Sequence, residues 1–208
     1  ASFFIQDESI KKNLILMCSK ESHCILDIVN HIECGHLNVN LIAIISNHHT
    51  VAPIADRFNI PFHYCPTTES QRENQEKNII THLNTYSFDC IGLARYMRIL
   101  SPQFLSEIKQ PIINVHHAFL PSFVGANPYK QAFDRGVKMI GATAHYVNEH
   151  LDDGPIISQK TTTVSHLQSV ESLKEVGRLS EQQVFFNGLK AHCENKVICF
   201  NNRTIVFN

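Results

Sequence analysis

Short, nearly continuous apolar runs alternate with longer amphipathic segments along most of this 208-residue chain. The runs predict strands at residues 13–17, 40–45, 62–64, 90–94 and 112–116. An apolar run without polar alternation is typical of a parallel strand that is covered on both faces. Because parallel strands need crossover connections, we expect an α/β fold: a Rossmann-like open, mainly parallel sheet with helices on both faces.

Residues that begin or end helices separate these runs. Four apolar positions share one helical face before Gly35, which is placed to end that helix: Ile25, Ile28, Val29 and Ile32. Three later segments have the form of helix starts, namely the capping box 70–73 and the cap-proline pairs Ser101-Pro102 and Asn127-Pro128. Gly136 is placed to end the last of these helices.

The pattern changes after Gly141. Residues 142–147 and 155–160 predict an antiparallel strand pair joined by loop 148–154. A long helix at about 170–192, which Gly177 could interrupt, precedes a C-terminal hairpin of 197–200 and 204–207 with a turn at Asn201-Asn202. We interpret residues 1–12 as a leader or linker remnant and 13–208 as a single domain.

Composition excludes several classes of partner. Only 18% of residues are charged and the net charge is −1, so bulk charge favours neither nucleic acid nor an acidic membrane. The apolar runs are too short to cross a bilayer. Seven cysteines are scattered singly without a CxxC motif, which indicates reduced thiols and a cytoplasmic protein.

The densest candidate chemistry follows the fifth predicted strand. Asn114 and His116 are two residues apart, so both project from the same face of that strand. A carboxamide can stabilise negative charge on a carbonyl oxygen while an imidazole handles a proton. Spacing alone fits equally a core asparagine and histidine that are satisfied at a strand end.

Two further segments could contribute. In residues 145–155, acidic Asp152 and Asp153 precede Gly-Pro, and by themselves they favour a solvated turn. Turned inward, one carboxylate would favour the charged form of a nearby imidazole and could hold a water. Residues 93–100 follow a strand, and such a loop could offer an apolar wall to a flat heterocycle.

The 13 histidines raise the question of a metal site. His116 and His117 are adjacent, and adjacent strand residues point to opposite faces, so they share one ion poorly. We therefore expect no metal.

Together the three segments resemble the folate-dependent formyltransferase fold family over about residues 13–207. The motifs are Asn-x-His followed by Leu-Pro-Ser-Phe, and His-x-Val-x-x-x-Leu-Asp-x-Gly-Pro-Ile-Ile downstream. The resemblance implies that Asn114, His116 and Asp152 are catalytic. It also implies two loops that hold the pterin: Met97, Arg98, Ile99 and Leu100, and Val147, Asn148, Glu149, His150 and Leu151.

Several further segments carry a closer resemblance: Ser46-Asn47-His48, Tyr96-Met97-Arg98, the doubled His116-His117 and Asn202-Arg203-Thr204. In these segments the sequence resembles the formyltetrahydrofolate deformylases. Phosphoribosylglycinamide formyltransferases carry a glycine-rich phosphate loop after the first strand, whereas residues 18–24 here contain no glycine. The resemblance therefore implies hydrolysis of 10-formyltetrahydrofolate, as substrate rather than tightly bound cofactor, to tetrahydrofolate and formate, with formate supplied to purine synthesis. The alternatives are the formyltransferase itself and a catalytically silent folate-binding module.

The resemblance carries further expectations. Deformylases of this family generally begin with an amino-acid-binding ACT domain, which these 208 residues do not contain. A homo-oligomer is implied as well. Whether His116 acts as a base on water or as an imidazolium donor is left open by the sequence.

Overall fold

The computed structural model describes residues 10–66, 72–122 and 127–207, except for the side chain of Arg72. Within these residues, seven strands form one sheet: β1 Lys12–Cys18, β2 Val39–Ser46, β3 Phe62–Tyr64, β4 Cys90–Ala94, β5 Ile112–His116, β6 Met139–Tyr146 and β7 Ile156–Thr163. Their order in the sheet is β3-β2-β1-β4-β5-β6-β7. The first five strands in this order are parallel, whereas β6 pairs antiparallel with both β5 and β7. The predicted α/β architecture is confirmed.

Alternate residues of the central strand β1 feed two separate cores, which is why its sequence shows no polar alternation. Leu14 and Leu16 pack into one core together with Phe185, while Ile15 and Met17 pack into the other. All four β1 side chains are fully buried. Helices therefore cover both faces of the sheet, as predicted.

Six α-helices connect or flank the strands in the described residues. They are α1 His23–Glu33, α2 Ala52–Arg57, α3 Arg72–Leu83, α4 Pro102–Glu107, α5 Pro128–Arg135 and α6 Val170–Cys193. Gly35 (φ 72°) and Gly136 (φ 62°) adopt the left-handed conformation just past α1 and α5, as predicted for helix-ending glycines. Ser101 caps α4, because its hydroxyl accepts a hydrogen bond from the Phe104 amide at 3.0 Å.

Two expectations about helices need correction. Asn127 precedes α5 but makes no side-chain capping bond, because its backbone is left-handed (φ 57°) rather than extended. Helix α6 runs unbroken through Gly177, whose missing side chain admits Tyr129: a Cβ there would lie 2.1 Å from the tyrosine oxygen. The predicted capping box at 70–73 lies partly outside the described residues.

The C-terminal hairpin is present, with β8 Val197–Phe200 pairing antiparallel to β9 Arg203–Val206. Asn201 (φ 55°) supplies the positive φ of its turn. All seven cysteines lie among the described residues as free thiols. Among those residues no helix combines the length and apolar character needed to span a bilayer.

Candidate active site

The side chains of Asn114, His116 and Asp152 converge on one cavity of about 290 Å³. Asn114 and His116 lie on β5, and their alternation places both on the face of Ile112, opposite the core residues Ile113 and Val115. The Nδ1 atom of His116 lies 3.3 Å from Oδ1 of Asp152. Residues 36 positions apart in sequence thus form an ion-pair contact.

The loop between β6 and β7 brings Asp152 back toward β5. It leaves beside the start of β5, where the Val147 amide donates to the Ile112 carbonyl at 2.8 Å. Gly154 permits the return, because a Cβ there would lie 1.7 Å from the carbonyl oxygen of Tyr146. Asp152 itself adopts φ 55°, a left-handed backbone that costs a non-glycine residue about 1–3 kcal/mol and clusters at functional sites.

The C-terminal hairpin braces the same loop from outside. Asn202, in the turn of the hairpin, donates its Nδ2 to the Asp153 carbonyl at 2.8 Å. Thr204 donates its hydroxyl to the carbonyl of Ile156 at the start of β7. A hairpin that is remote in sequence therefore restrains the backbone next to Asp152.

The electrostatics of the pair keep Asp152 ionised. Burial by itself would raise the pKa of Asp152, but the hydrogen bond from His116 and the nearby imidazoles outweigh it, so the pKa lies below its usual value. The His116 and Asp152 side chains are only 6% and 11% exposed. Among the described residues, Nε2 of His116 is buried without a hydrogen-bond partner, so this nitrogen can serve a substrate.

His145 orients Asn114, a role that our sequence reasoning missed. Its Nδ1 lies 2.9 Å from the Tyr146 carbonyl, which can only accept, so Nδ1 carries the proton. Burial lowers the pKa of His145, which favours the neutral ring with an unprotonated Nε2. That Nε2 lies 3.2 Å from Nδ2 of Asn114 and accepts one of its two N–H bonds. The other N–H is left for an oxyanion.

Only the strand register could have revealed this contact. Asn114 pairs with His145 across the antiparallel β5–β6 ladder, so their side chains lie side by side on the same face. The sequence shows His145 inside a strand but does not show which β5 residue it opposes.

The rest of the cavity has the apolar wall expected for a flat heterocycle. Met97, Ile99 and Leu151 are each more than half exposed, although large apolar side chains usually pack inward. Every residue predicted for the pterin loops lines the cavity: Met97, Arg98, Ile99, Leu100, Val147, Asn148, Glu149, His150 and Leu151. The structure thus brings together all twelve predicted site residues.

The segment after β1 supports this wall. The Ser19 hydroxyl accepts a hydrogen bond from the Met97 amide at 3.0 Å and donates to Oδ1 of Asn47 at 2.8 Å. Ser19 is 3% exposed. Ser19 therefore joins the segment after β1 to the start of the 97–100 loop.

A second, wider cleft of about 650 Å³ adjoins the first, and both are lined by Arg95 and His117. Its floor is the carboxylate of Glu181 on α6, which is 1% exposed. Nε2 of His23 contacts Oε2 of that carboxylate at 2.7 Å, and the Tyr129 hydroxyl donates to Oε1 at 2.5 Å. Burial opposes ionisation of Glu181, but His23, Arg95 and Tyr129 together hold its pKa below the usual value.

The structure offers one cluster with metal-binding residue types among the described residues. Ligand atoms of His23, Cys24 and Glu181 lie within 4.8 Å of one another. However, the Arg95 guanidinium lies 3.5 Å from Glu181, and burial raises the pKa of the Cys24 thiol well above its usual value. A cation and a protonated thiol make a poor metal centre. The expected opposition of His116 and His117 across a strand does not apply, because β5 ends at His116; their ring centroids are 5.2 Å apart and both residues line the first cavity.

Comparison with known proteins places the chain among formyl transferases. Residues 12–189 match the formyl transferase family. A formyltetrahydrofolate deformylase of Bacillus subtilis (strain 168) is 46% identical over 197 residues, which are 95% of this chain and 66% of that relative. The chain therefore spans about two thirds of the length of that curated relative.

Two solved structures show the same fold. A formyltetrahydrofolate deformylase from Pseudomonas syringae pv. tomato superposes with a TM-score of 0.95 at 42% identity, covering 98% of this chain and 68% of that one. A phosphoribosylglycinamide formyltransferase from Anaplasma phagocytophilum superposes with a TM-score of 0.87 at 28% identity, covering 96% and 95%. The sequence is thus markedly more similar to the deformylases than to that transferase.

Proposed function

The chain belongs to the formyl transferase family, and we propose that it hydrolyses 10-formyltetrahydrofolate to tetrahydrofolate and formate. The observation that carries this proposal is the meeting of an amide, an imidazole and an ionised carboxylate in one cavity with an apolar wall. The naming of relatives at 39–46% identity as formyltetrahydrofolate deformylases supports water as the acceptor.

Asn114, His116 and Asp152 divide the chemistry between them. The free N–H of Asn114 and the Nε2 side of His116 hold the formyl oxygen as it gains negative charge. Asp152, ionised and in contact with Nδ1 of His116, fixes the orientation of the imidazole and of the attacking water. Because Nδ1 faces Asp152 and Nε2 has no partner among the described residues, we assign His116 the role of donor to the oxyanion through Nε2.

The bond changes balance with one water. A C–O bond forms between the water oxygen and the formyl carbon, and the C–N10 bond breaks as the tetrahedral intermediate collapses. One proton of the water ends on N10, and formic acid releases the other to give formate. We propose that no metal or tightly bound cofactor takes part in these steps.

The two predicted loops are proposed to hold the pterin. Met97 and Ile99 on one side and Leu151 on the other expose apolar surface into the cavity, where a ring system can cover it. The residues after β1 support hydrolysis over transfer to a phosphorylated amine. Ser19 is engaged with Met97, and His23 is engaged with Glu181, so neither is placed to cradle a phosphate.

The test measures formate release from 10-formyltetrahydrofolate with and without glycinamide ribonucleotide. Release without the amine supports the deformylase, dependence on the amine supports the transferase, and tight folate binding without reaction supports a silent module. Asp152→Ala should lower kcat about a hundredfold or more, a typical loss for a transition-state contact. The matched control is Asp153→Ala, which changes an exposed neighbour and should retain activity. Near-full activity of Asp152→Ala contradicts the assignment.

We also propose a setting for the enzyme. Seven free thiols favour a reducing compartment such as the cytoplasm, where released formate can enter purine synthesis. A homo-oligomer is proposed on the C-terminal hairpin, where Ile198, Phe200, Ile205 and Phe207 are each more than half exposed. Light scattering of the purified chain tests the oligomer, and charged substitutions at Phe200 should shift it to monomer.

A further inference from the structure

Arg95 lies between the two cavities. It directly follows β4, and it lines both the cavity that contains the catalytic trio and the wider cleft beyond it. Its side chain is only 13% exposed. A permanently charged group is therefore enclosed at the boundary between the reaction site and a second opening.

The guanidinium of Arg95 is only partly neutralised. Its one ion pair in the described residues joins Nε to Oε2 of Glu181 at 3.5 Å, too long for a good hydrogen bond. The Glu181 oxygens are already engaged at shorter range by His23 and Tyr129. Among the described residues, Nε and Nη1 of Arg95 are buried without a hydrogen-bond acceptor. Buried donors of this kind indicate a partner that arrives with the ligand.

The backbone supports a functional reading of this position. Arg95 has φ 59°, a left-handed conformation in which glycine would be unstrained. A residue with a side chain is strained in that conformation, and such strain is concentrated at functional sites. Its neighbour His117 cannot replace the charge, since burial and the charge of Arg95 lower the His117 pKa to about 3.

We propose that Arg95 binds the formate produced by hydrolysis and that the second cleft is the route by which formate leaves. This inference rests on the proposed function. A carboxylate matches the forked N–H groups of a guanidinium, and hydrolysis generates a carboxylate from a neutral amide beside Arg95. While the pterin fills the apolar cavity, the cleft on the other side of Arg95 and His117 remains open to a small anion.

The charges along the cleft are compatible with passage of an anion. Arg178 and Glu21 form an ion pair at 2.9 Å, and Lys130 pairs with Asp134 at 2.8 Å. Glu171 and Lys174 add one charge of each sign to the lining, so the rim carries no excess of negative charge. Glu181 on the floor is held by its three partners. Among the described residues, Arg95 has donors without an acceptor, and it also lines the cavity that contains the trio.

The first test measures direct binding of 13C-formate to the protein. Binding is detected as broadening of the formate line in the 13C NMR spectrum. The wild-type chain saturated with tetrahydrofolate should bind formate, because the two products occupy different cavities. Arg95→Gln should weaken binding about tenfold or more, as expected for losing a charged hydrogen-bond partner. The matched control Arg57→Gln changes an exposed arginine on α2 and should bind as the wild type does.

The second test is product inhibition at constant ionic strength. Formate should inhibit deformylation non-competitively with 10-formyltetrahydrofolate, and Arg95→Gln should need about tenfold more formate. Arg95→Lys, which keeps the charge but loses the fork, should be intermediate, and unchanged thermal unfolding of both variants shows that they fold.

Formate that competes with the folate, or binding that is equal in the wild type and Arg95→Gln, overturns this inference while leaving the deformylase proposal intact. If the wild type releases no formate from 10-formyltetrahydrofolate, the proposed function fails instead. The binding experiment still reports on Arg95 in that case, because it requires no turnover.

Discussion

Replacing His145 by phenylalanine should impair catalysis, although Asn114, His116 and Asp152, the three residues proposed to act on the formyl group, are all retained. His145 is 2% exposed and accepts one N–H of Asn114 at 3.2 Å, while its own Nδ1–H is satisfied by the Tyr146 carbonyl. Phenylalanine keeps most of the ring volume but removes both hydrogen bonds, together with a longer 3.9 Å contact between Nε2 of His145 and Oδ1 of Asp152. The amide of Asn114 is then free to rotate and can present its oxygen, instead of its N–H, to the oxyanion.

The magnitude follows from what the contact holds in place. Complete loss of an oxyanion donor costs about a hundred- to a thousandfold in kcat, which is the upper bound. Loss of orientation alone removes a bond with a net value of about 0.5–1.5 kcal/mol and adds unfavourable rotamers. We therefore expect kcat of His145→Phe to fall about 10- to 100-fold, equivalent to about 1.4–2.7 kcal/mol, with KM changed less than about threefold.

A double-mutant cycle provides the decisive assay. If His145 acts through Asn114, His145→Phe should cost less than about threefold in kcat when Asn114 is already alanine. Equal losses in both backgrounds would refute the reasoning. The matched control His166→Phe alters an exposed histidine that lines neither cavity and should leave kcat unchanged.

Three further results are expected. Ser19→Ala removes the acceptor for the Met97 amide and should raise KM for the folate about 5- to 20-fold with little change in kcat. Steady-state kinetics measures both constants, and an unchanged KM would argue against a role of Ser19 in supporting the 97–100 loop. Gly177→Ala places a methyl group 2.1 Å from the Tyr129 oxygen and should lower the free energy of unfolding by about 1–3 kcal/mol. Urea titration measures this free energy, and an unchanged value would mean that the Tyr129 side chain moves aside without cost. The partly buried His117, with its pKa lowered to about 3, resists protonation in the folded state but not in the unfolded state. Its contribution to stability is therefore complete above about pH 6.5 and falls by about 2 kcal/mol at pH 5. Unfolding of His117→Asn should show a shallower loss between pH 6.5 and 5, and an identical slope would contradict this.

The strands were predictable from the sequence because their continuous apolar runs reflect burial of both faces of the sheet. Parallel strands between two helical layers are apolar at most positions, and β4 and β5 were predicted with the bounds that the structure has. Helix ends at Gly35 and Gly136 were predictable for a similarly local reason, since glycine tolerates the left-handed backbone that ends a helix. Interruption of α6 at Gly177 was a wrong expectation, because the reason for that glycine is Tyr129 on another helix.

The residues of the candidate site also fall into those that local sequence rules predicted and those that they did not. The two-residue spacing of Asn114 and His116 gave their common face from sequence, since side chains alternate along a strand. Motif resemblance, and not spacing, pointed to Asp152, which by local rules was an ordinary turn residue. The contact between its carboxylate and His116 depends on the folded loop, on Gly154 packing against Tyr146 and on the bracing hairpin.

The sequence by itself determined the layered α/β architecture and the residue types available for formyl chemistry. Both are written in local periodicity, in which each position depends on its near neighbours. The tertiary structure alone decided that His145 orients Asn114 and that Ser19 binds the Met97 amide. It also placed Arg95 at the boundary of two cavities, with donors that find no acceptor in the described part of the chain. These contacts join elements far apart in the chain, and their geometry depends on strand register and on the directions of loops, which no local pattern of residues encodes.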